Sequence, residues 1–350
     1  YLEAENAYTD AMLAGNAALT GTLFKEMKAR IKEDDSSVPQ PDGPWAYFSS
    51  FVTGGQYPRV SRCSREGGGE QVLIDGNAEA AGKAYWTMGA VAHSPDHALL
   101  AYAVDDKGSE TYTIRIRDMA SGRDLDDAVP GTRGNIVWAA DSATLFYIRL
   151  DANLRPLEVW RHAVGTAADQ DVLVYNEPDV GYYVGVSQTQ SGRFVQVDIH
   201  DHQTSEVHLI DAKAPTSPAF LVVARKFGHE YSVDHHGDDL IITTNKDGAE
   251  DFKICTAPIA SPGLTSWRDF VPHKPGRLIL DTVAYKGHLV RLEREDGLPR
   301  IIVRRWADGA EHSIAFPEEA YALGLSSGYE YDTTTIRFTY SSMTTPAQVY

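Results

Sequence analysis

Ser94-Pro95-Asp96 turns the chain into Leu99-Leu100-Ala101-Tyr102-Ala103-Val104, a short run of strand formers. The same arrangement, a polar turn followed by a β-rich run, returns along the sequence. It recurs at Leu145-Phe146-Tyr147-Ile148, Phe194-Val195-Gln196-Val197, Leu240-Ile241-Ile242-Thr243, Leu289-Val290-Arg291-Leu292 and Ile336-Arg337-Phe338-Thr339. The anchors 99, 145, 194, 240, 289 and 336 are separated by 46, 49, 46, 49 and 47 residues. An earlier copy, Trp45-Ala46-Tyr47-Phe48, follows Asp42-Gly43-Pro44, with Tyr47 lying 52 residues before Leu99. That makes seven copies.

Each anchor has a second strand 13 to 15 residues later, centred on Val60, Ile114, Val159, Val207, Ile254, Ile302 and Val349. Their apolar and polar residues alternate, as in a half-buried strand. Between anchor and partner lie turn signals such as Asp105-Asp106-Lys107-Gly108 and Asn245-Lys246-Asp247-Gly248, which read as hairpins. Further short runs precede and follow, for instance Met88-Gly89-Ala90-Val91 and Gln71-Val72-Leu73-Ile74. About four strands per 46 to 52 residues is the signature of a propeller blade. Each such sheet has two apolar faces, so sheets must stack around an axis to bury both. The first 40 residues differ. Leu2 to Tyr8 and Leu23 to Ile31 carry helix formers with helix-like apolar spacing, and Ser36-Ser37-Val38-Pro39 breaks the pattern. The expected fold is all-β: a seven-bladed β-propeller over residues 41–350, preceded by a short helical N-terminal arm over residues 1–40.

Composition narrows the function. In 350 residues, 43% hydrophobic and 23% charged side chains suit a folded globular chain. Lys plus Arg is 32 and Asp plus Glu is 49, a net charge of −17. That argues against nucleic acid or an anionic membrane as a partner. No run approaches the ~18 apolar residues of a membrane span, and no secretory signal is visible. The chain begins at Tyr1, not Met, so a preceding segment is expected. Cys63 and Cys255 fall in equivalent strands of non-adjacent repeats, are expected to be free thiols, and point to a reducing, cytoplasmic setting.

Several motifs could carry chemistry. Gly324-Leu325-Ser326-Ser327-Gly328 matches a nucleophile pattern whose serine must sit on a strand-to-helix turn. The residues after it, Tyr329-Glu330-Tyr331-Asp332-Thr333-Thr334-Thr335, are strand and turn formers, so Ser326 reads as part of a blade turn. His200-Asp201-His202 and His235-His236 are dense in metal-ligand types but lack a third ligand at a defined spacing, and no metal site is assigned. Gly67-Gly68-Gly69 lacks the Lys-Ser/Thr pair of a phosphate loop and reads as a hairpin tip. The acidic pairs Asp34-Asp35, Asp105-Asp106, Asp126-Asp127, Asp238-Asp239 and Glu318-Glu319 read as solvated turns in preference to a cation-attracting rim.

Other stretches carry a family likeness. Tyr1 to Thr9, Ile31 to Pro39, Val137-Trp138-Ala139-Ala140-Asp141, Val159-Trp160-Arg161-His162, His229 to His235 and Tyr340 to Pro346 resemble the oligopeptidase B branch of the prolyl oligopeptidase family of serine peptidases. The resemblance runs over essentially the whole chain. It implies a propeller capping an α/β-hydrolase domain, which is expected after residue 350. The family's G-G-S-x-G-G elbow is absent here, so no catalytic residue is assigned within these residues. No cofactor is expected.

What the resemblance implies is the gating, size-excluding part of a cytoplasmic peptidase that cleaves short peptides after Arg or Lys. The segment alone would be catalytically inert. Its partners would be its own C-terminal hydrolase domain and short basic peptides. A propeller scaffold binding protein partners without catalysis is the alternative. Arg149, at the end of a family-like strand, is the one candidate site residue: an interdomain latch that could pair with a carboxylate of the partner domain. An arginine bonded within its own hairpin is the competing reading.

Overall fold

The computed structural model describes residues 1–350. Two helices open the chain, α1 (Leu2–Leu13) and α2 (Ala17–Lys28), joined by a single tight turn. Neither buries a residue. Leu2 is 75% and Tyr8 64% exposed. Leu19, Leu23 and Met27 recur every fourth residue along α2, and all three are exposed, so one apolar face of this helix packs on nothing in the chain.

From Gln40 onward the chain is β-structure. The first sheet contains β1 (Gln40–Asp42), β2 (Trp45–Ser50), β3 (Arg59–Ser64) and β4 (Gln71–Asp75) in sequential antiparallel order. The Asp75 side chain then caps the short helix α3 (Gly76–Ala80), accepting from the Asn77 amide at 3.0 Å. The second sheet runs from β5 (Thr87–His93), β6 (Leu99–Asp105), β7 (Tyr112–Asp118) and β8 (Arg123–Thr132) into β9 (Val137–Trp138), β10 (Thr144–Leu150), β11 (Pro156–Ala163) and β12 (Val172–Asn176). The third has β13 (Tyr183–Gln188), β14 (Phe194–His200), β15 (Ser205–Asp211) and β16 (Phe220–Leu221). The fourth has β17 (Tyr231–His236), β18 (Asp239–Thr244), β19 (Lys253–Pro258) and β20 (Arg268–Val271). The fifth has β21 (Arg277–Ala284), β22 (His288–Glu295), β23 (Leu298–Arg305) and β24 (Glu311–Ser313). The sixth has only β25 (Tyr321–Ser326), β26 (Arg337–Ser342) and β27 (Gln348–Val349).

The expectation of seven blades is therefore corrected. Four sheets have four strands and one has eight, giving five full sheets, and a sixth is three-stranded. Leu99 on β6 and Leu145 on β10 were expected in separate sheets but share the eight-stranded one. The cause is β8. It is ten residues long, and its last residue, Thr132, pairs with Arg149 on β10. The next amide, Arg133, donates to the Ile148 carbonyl at 2.9 Å. A repeat period locates strands, but it does not say whether the last strand of one unit hydrogen-bonds to the next.

Apolar clusters fill the spaces between consecutive units. Tyr47, Leu73 and Ile74 of the first sheet meet Leu100 and Tyr102 of the second. The eight-stranded sheet folds on itself, packing Ala101, Ile114 and Val129 on Trp138, Leu145 and Tyr147. Each fully buried Leu, Ile or Phe side chain here contributes roughly 1.5–3 kcal/mol. No such cluster lies between the sixth sheet and the first. That junction is polar. Arg337 donates to the Val38 and Pro39 carbonyls at 2.9 and 2.7 Å, and Gln40 Nε2 donates to Ser326 Oγ at 3.4 Å.

Candidate functional site

The turns from first to second strand are short in most sheets, but in the sixth the connection Ser327–Ile336 is ten residues long. With three Thr and two Tyr, it forms a strap, and Gly328 turns it with φ 69°. The strap reaches all five other sheets. Glu330 pairs bidentately with Arg65 of the first, Nη2 to Oε2 being 2.9 Å, and accepts from the Gly43 amide at 3.3 Å. Tyr329 stands edge-on to His93 of the second, with ring centroids 4.8 Å apart. Gln190 of the third donates to the Ser327 and Glu330 carbonyls at 3.1 and 3.2 Å. The Tyr331 hydroxyl bonds His236 of the fourth at 2.9 Å, and the Tyr285 hydroxyl of the fifth donates to the Ser327 carbonyl at 2.9 Å. A segment touching every other sheet lies across the axis they surround.

Beneath the strap is a cavity of about 330 Å³ lined from β13, β17, β21 and β25, with Gln188, Asp234, Asp281 and Thr282 among its walls. Burial pushes the Asp281 carboxyl above the usual carboxylate range. Burial does the same to Asp234, although three backbone amides, from Gln190, His235 and Ala284, donate to it at 2.8–2.9 Å. Carboxyls held in this way would gain from an incoming cation. A second cavity, of about 400 Å³, occupies the polar junction between the first and last sheets and is walled by Val38, Tyr47, His93, Ser326, Tyr329 and Arg337.

Beside the junction cavity, which His93 borders, Asp42, His93 and His97 converge. One ligand atom from each lies within 4.8 Å of the other two. His93 Nε2 is 2.7 Å from Asp42 Oδ2, and His97 Nδ1 is 2.8 Å from the Tyr47 hydroxyl. Burial lowers the His97 imidazole below its ordinary range and raises the Tyr47 phenol to about 12.

The residues singled out from sequence are dispersed. Ser326 ends β25, and its hydroxyl bonds Gln40; the chain after it enters the strap, not a helix. His200 pairs with Asp198 at 3.0 Å. His235 is bonded to Ser191 Oγ and the Gly237 carbonyl, both at 2.8 Å, while His236 stacks on Trp306 at 4.1 Å. Gly67, Gly68 and Gly69 all have positive φ at the exposed β3–β4 tip. Cys63 and Cys255 are free, in the first and fourth sheets. Of the acidic pairs, Asp105 is buried and accepts from three amides of its own turn, those of Lys107, Gly108 and Glu110, at 2.8–3.1 Å. Asp127 is buried against His162.

Arg149 lies on β10 with its guanidinium 3.8 Å from the centre of the Trp160 ring. Nη2 donates to the Ala168 carbonyl at 3.3 Å and lies 3.8 Å from Asp171 Oδ2; the side chain is 27% exposed. Beside it is a constellation that the sequence did not reveal. The fully buried His162 ring faces Asp171 Oδ1 through Nδ1 at 2.6 Å and Asp127 Oδ1 through Nε2 at 2.9 Å. It ties β8 to β11 across the fused sheet.

The chain matches the family described as prolyl oligopeptidase, N-terminal beta-propeller domain, over residues 1–350. It is 39% identical to the dipeptidyl aminopeptidase BI of Pseudoxanthomonas mexicana and 31% identical to the protease 2 of Moraxella lacunata. All of the chain is covered in both cases, against 50% and 51% of those proteins. It thus spans about half the length of these curated relatives. Among solved structures, oligopeptidase B from Leishmania major superposes with a TM-score of 0.93 at 30% identity, over 99% of this chain and 51% of that one. Oligopeptidase B from Trypanosoma brucei, in a closed form with covalently bound antipain, gives 0.92 at 32% identity, over 100% and 51%. The likeness read from the short sequence stretches thus extends along the whole chain, which belongs to the prolyl oligopeptidase family as its N-terminal β-propeller domain.

Proposed function

We propose that this chain is the access-controlling part of a serine oligopeptidase that hydrolyses short peptides after Arg or Lys. The catalytic groups would sit in an α/β-hydrolase domain outside residues 1–350, with residues 1–40 as an arm and 41–350 as the propeller. The observation that carries the reading is the strap, which reaches four of the other five sheets through polar contacts and the second through the Tyr329 ring, next to a junction without an apolar cluster. Polar contacts of this kind can open and reclose, whereas a dry apolar seam would hold one state. A closed cavity admits an extended peptide and excludes a folded protein by size.

Three further features support the assignment. The unpartnered apolar face of α2 fits a helix that packs on another domain, and the relatives have about as much chain again to supply one. The net charge of −17 and the carboxyls Asp234 and Asp281 lining the cavity favour basic peptides over acidic ones. Two unpaired cysteines fit a cytoplasmic setting; no helix is long and apolar enough to cross a membrane. Arg149 belongs to the same proposal as a latch: its guanidinium is partly exposed and engages its own chain by hydrogen bonding only through Nη2.

The test uses the full-length protein and paired peptides that differ at the cleaved residue and in length. Arg and Lys substrates should be turned over well ahead of Pro or Glu ones, with turnover falling as length grows. Glu330→Gln, which weakens the strap's pairing with Arg65, should relax the length limit while leaving short-peptide hydrolysis within a few-fold. Equal turnover of Arg and Glu peptides, or a length limit unmoved by the strap variant, would refute the corresponding half of the proposal.

A further inference from the structure

We infer that Asp42, His93 and His97 form a binding site for a divalent transition-metal ion of the zinc class, one that clamps the first sheet to the second beside the strap. Two imidazoles and one carboxylate are a donor set suited to zinc and its neighbours, while magnesium and calcium prefer all-oxygen surroundings. The three donor atoms already lie within 4.8 Å of one another. Around a tetrahedral ion with bonds of roughly 2.0–2.2 Å, donors sit about 3.3 Å apart. The set therefore closes by small side-chain rotations, and the ion takes the place of the proton shared by His93 Nε2 and Asp42 Oδ2 at 2.7 Å.

The surroundings hold these groups ready. The Tyr47 hydroxyl occupies His97 Nδ1, which leaves Nε2 as the ligand nitrogen, in the manner of an outer hydrogen bond that orients a metal-bound histidine. His97 Nε2 lies over Gly43, where an added Cβ would come within 2.7 Å of it; with φ +55° that position favours glycine twice over. The Tyr47 ring stacks on His93 at 3.9 Å and 4°, fixing the second imidazole, whose side chain is 8% exposed. Access comes from two sides: His93 borders the 400 Å³ junction cavity, and Asp42 borders a separate 470 Å³ space under the strap, with room for water in the open coordination position. Arg62 and Arg65 are the nearby opposing cations; Arg65 donates to the Gly43 carbonyl at 3.1 Å and is neutralised by Glu330, and Arg62 stands closer to the imidazoles. Its guanidinium is turned to the His97 carbonyl at 2.8 Å and stacked on Trp45 at 3.9 Å, and it weakens the site without blocking it. Gly43, next to the ligand Asp42, donates to Glu330 of the strap, so an ion here stiffens the strap's anchorage as well.

The experiment is a titration of the full-length protein, stripped of metal with a chelator, using Zn2+ followed by calorimetry and Co2+ followed by its visible absorption. One ion per chain is expected, with a Co2+ spectrum of tetrahedral nitrogen and oxygen ligation. His93→Gln and His97→Gln should weaken binding about 100-fold or more, and Tyr47→Phe roughly 10- to 100-fold as an outer-shell change. His200→Gln, which alters an exposed histidine elsewhere, should leave it unchanged. Should a histidine variant fail to fold, Asp42→Asn on its turn and Tyr47→Phe decide the matter. The inference is overturned by the absence of stoichiometric binding in the unaltered protein, or by undiminished binding in the folded Asp42, Tyr47 and histidine variants.

Discussion

Replacing His162 by Ala should destabilise the chain more than any surface substitution. The ring is fully buried, as is the Asp171 side chain, and Asp127 is 3% exposed at its side chain. The ring bridges the two acids, Nδ1 facing Asp171 Oδ1 and Nε2 facing Asp127 Oδ1. Tyr147 adds a hydroxyl to Asp171 Oδ2 at 2.6 Å, and the Gly165 amide donates to Asp127 Oδ1 at 2.6 Å. Removing the ring leaves those two donors in place but takes away the shared partner from between two buried acids. Breaking one side of a buried ion pair costs about 3–5 kcal/mol, a large share of a typical total of roughly 5–15 kcal/mol.

At about 2 °C per kcal/mol for a large domain, the midpoint of the transition that unfolds the propeller should fall by roughly 6–10 °C. Scanning calorimetry and urea unfolding measure it. The comparison is His200→Ala, whose pair with Asp198 is about half exposed and should contribute about 1 kcal/mol or less. Replacing His162, Asp127 and Asp171 together by apolar residues should recover much of the loss, because the cost lies in the uncompensated charges and not in the missing bonds. A loss below about 1 kcal/mol for His162→Ala, or a triple variant no better than the single one, would refute this account of the fused sheet.

Arg149→Ala in the full-length protein should shift small-angle scattering toward an open form and change peptide turnover while leaving propeller stability nearly intact; an unchanged envelope with unchanged turnover removes the latch. The Cys255 thiol, raised to about 12 by burial and by its contact with Asp269, should react with a disulfide reagent at pH 8 far more slowly than Cys63, and faster labelling of Cys255 would contradict the structure. Glu318 is held down to about 2, first by the Ser342 hydroxyl and then by Thr345. Its contribution is thus complete above the ordinary 4.5 and disappears as the pH falls toward 2. Amide exchange in the Ser342–Thr345 turn should accelerate across that window in the unaltered protein and show no such step in Glu318→Gln.

Much of the architecture was legible because hairpins repeat locally: anchor, turn and partner strand recur at fixed offsets, and each anchor lies within its strand or next to it. What spacing could not reveal is a bond between units, and the Thr132–Arg149 pair that fuses the second sheet is such a bond. The site was obscured for a related reason. Dense motifs such as His200-Asp201-His202 and His235-His236 draw attention, but the first runs off the end of its strand into a turn, and the consecutive pair on β17 points to opposite faces and cannot converge. Convergence in this fold comes from residues one unit apart, which stand at the same height on neighbouring strands. Asp42 and His93 are 51 residues apart, close to the 52 separating the first two anchors. Trp138 Nε1 reaches the Ala92 carbonyl, and Ser142 the Asp96 amide, both across 46, the spacing of the next pair of anchors. His235 bonds Ser191 across 44, and Asp234 bonds Ala284 across 50. The period that located the strands therefore also carries the side-chain partnerships, and in such a chain a constellation is better sought at one repeat's distance than within a short motif. Glu330 and Arg65, 265 residues apart, escape even that search, because they join the last sheet to the first.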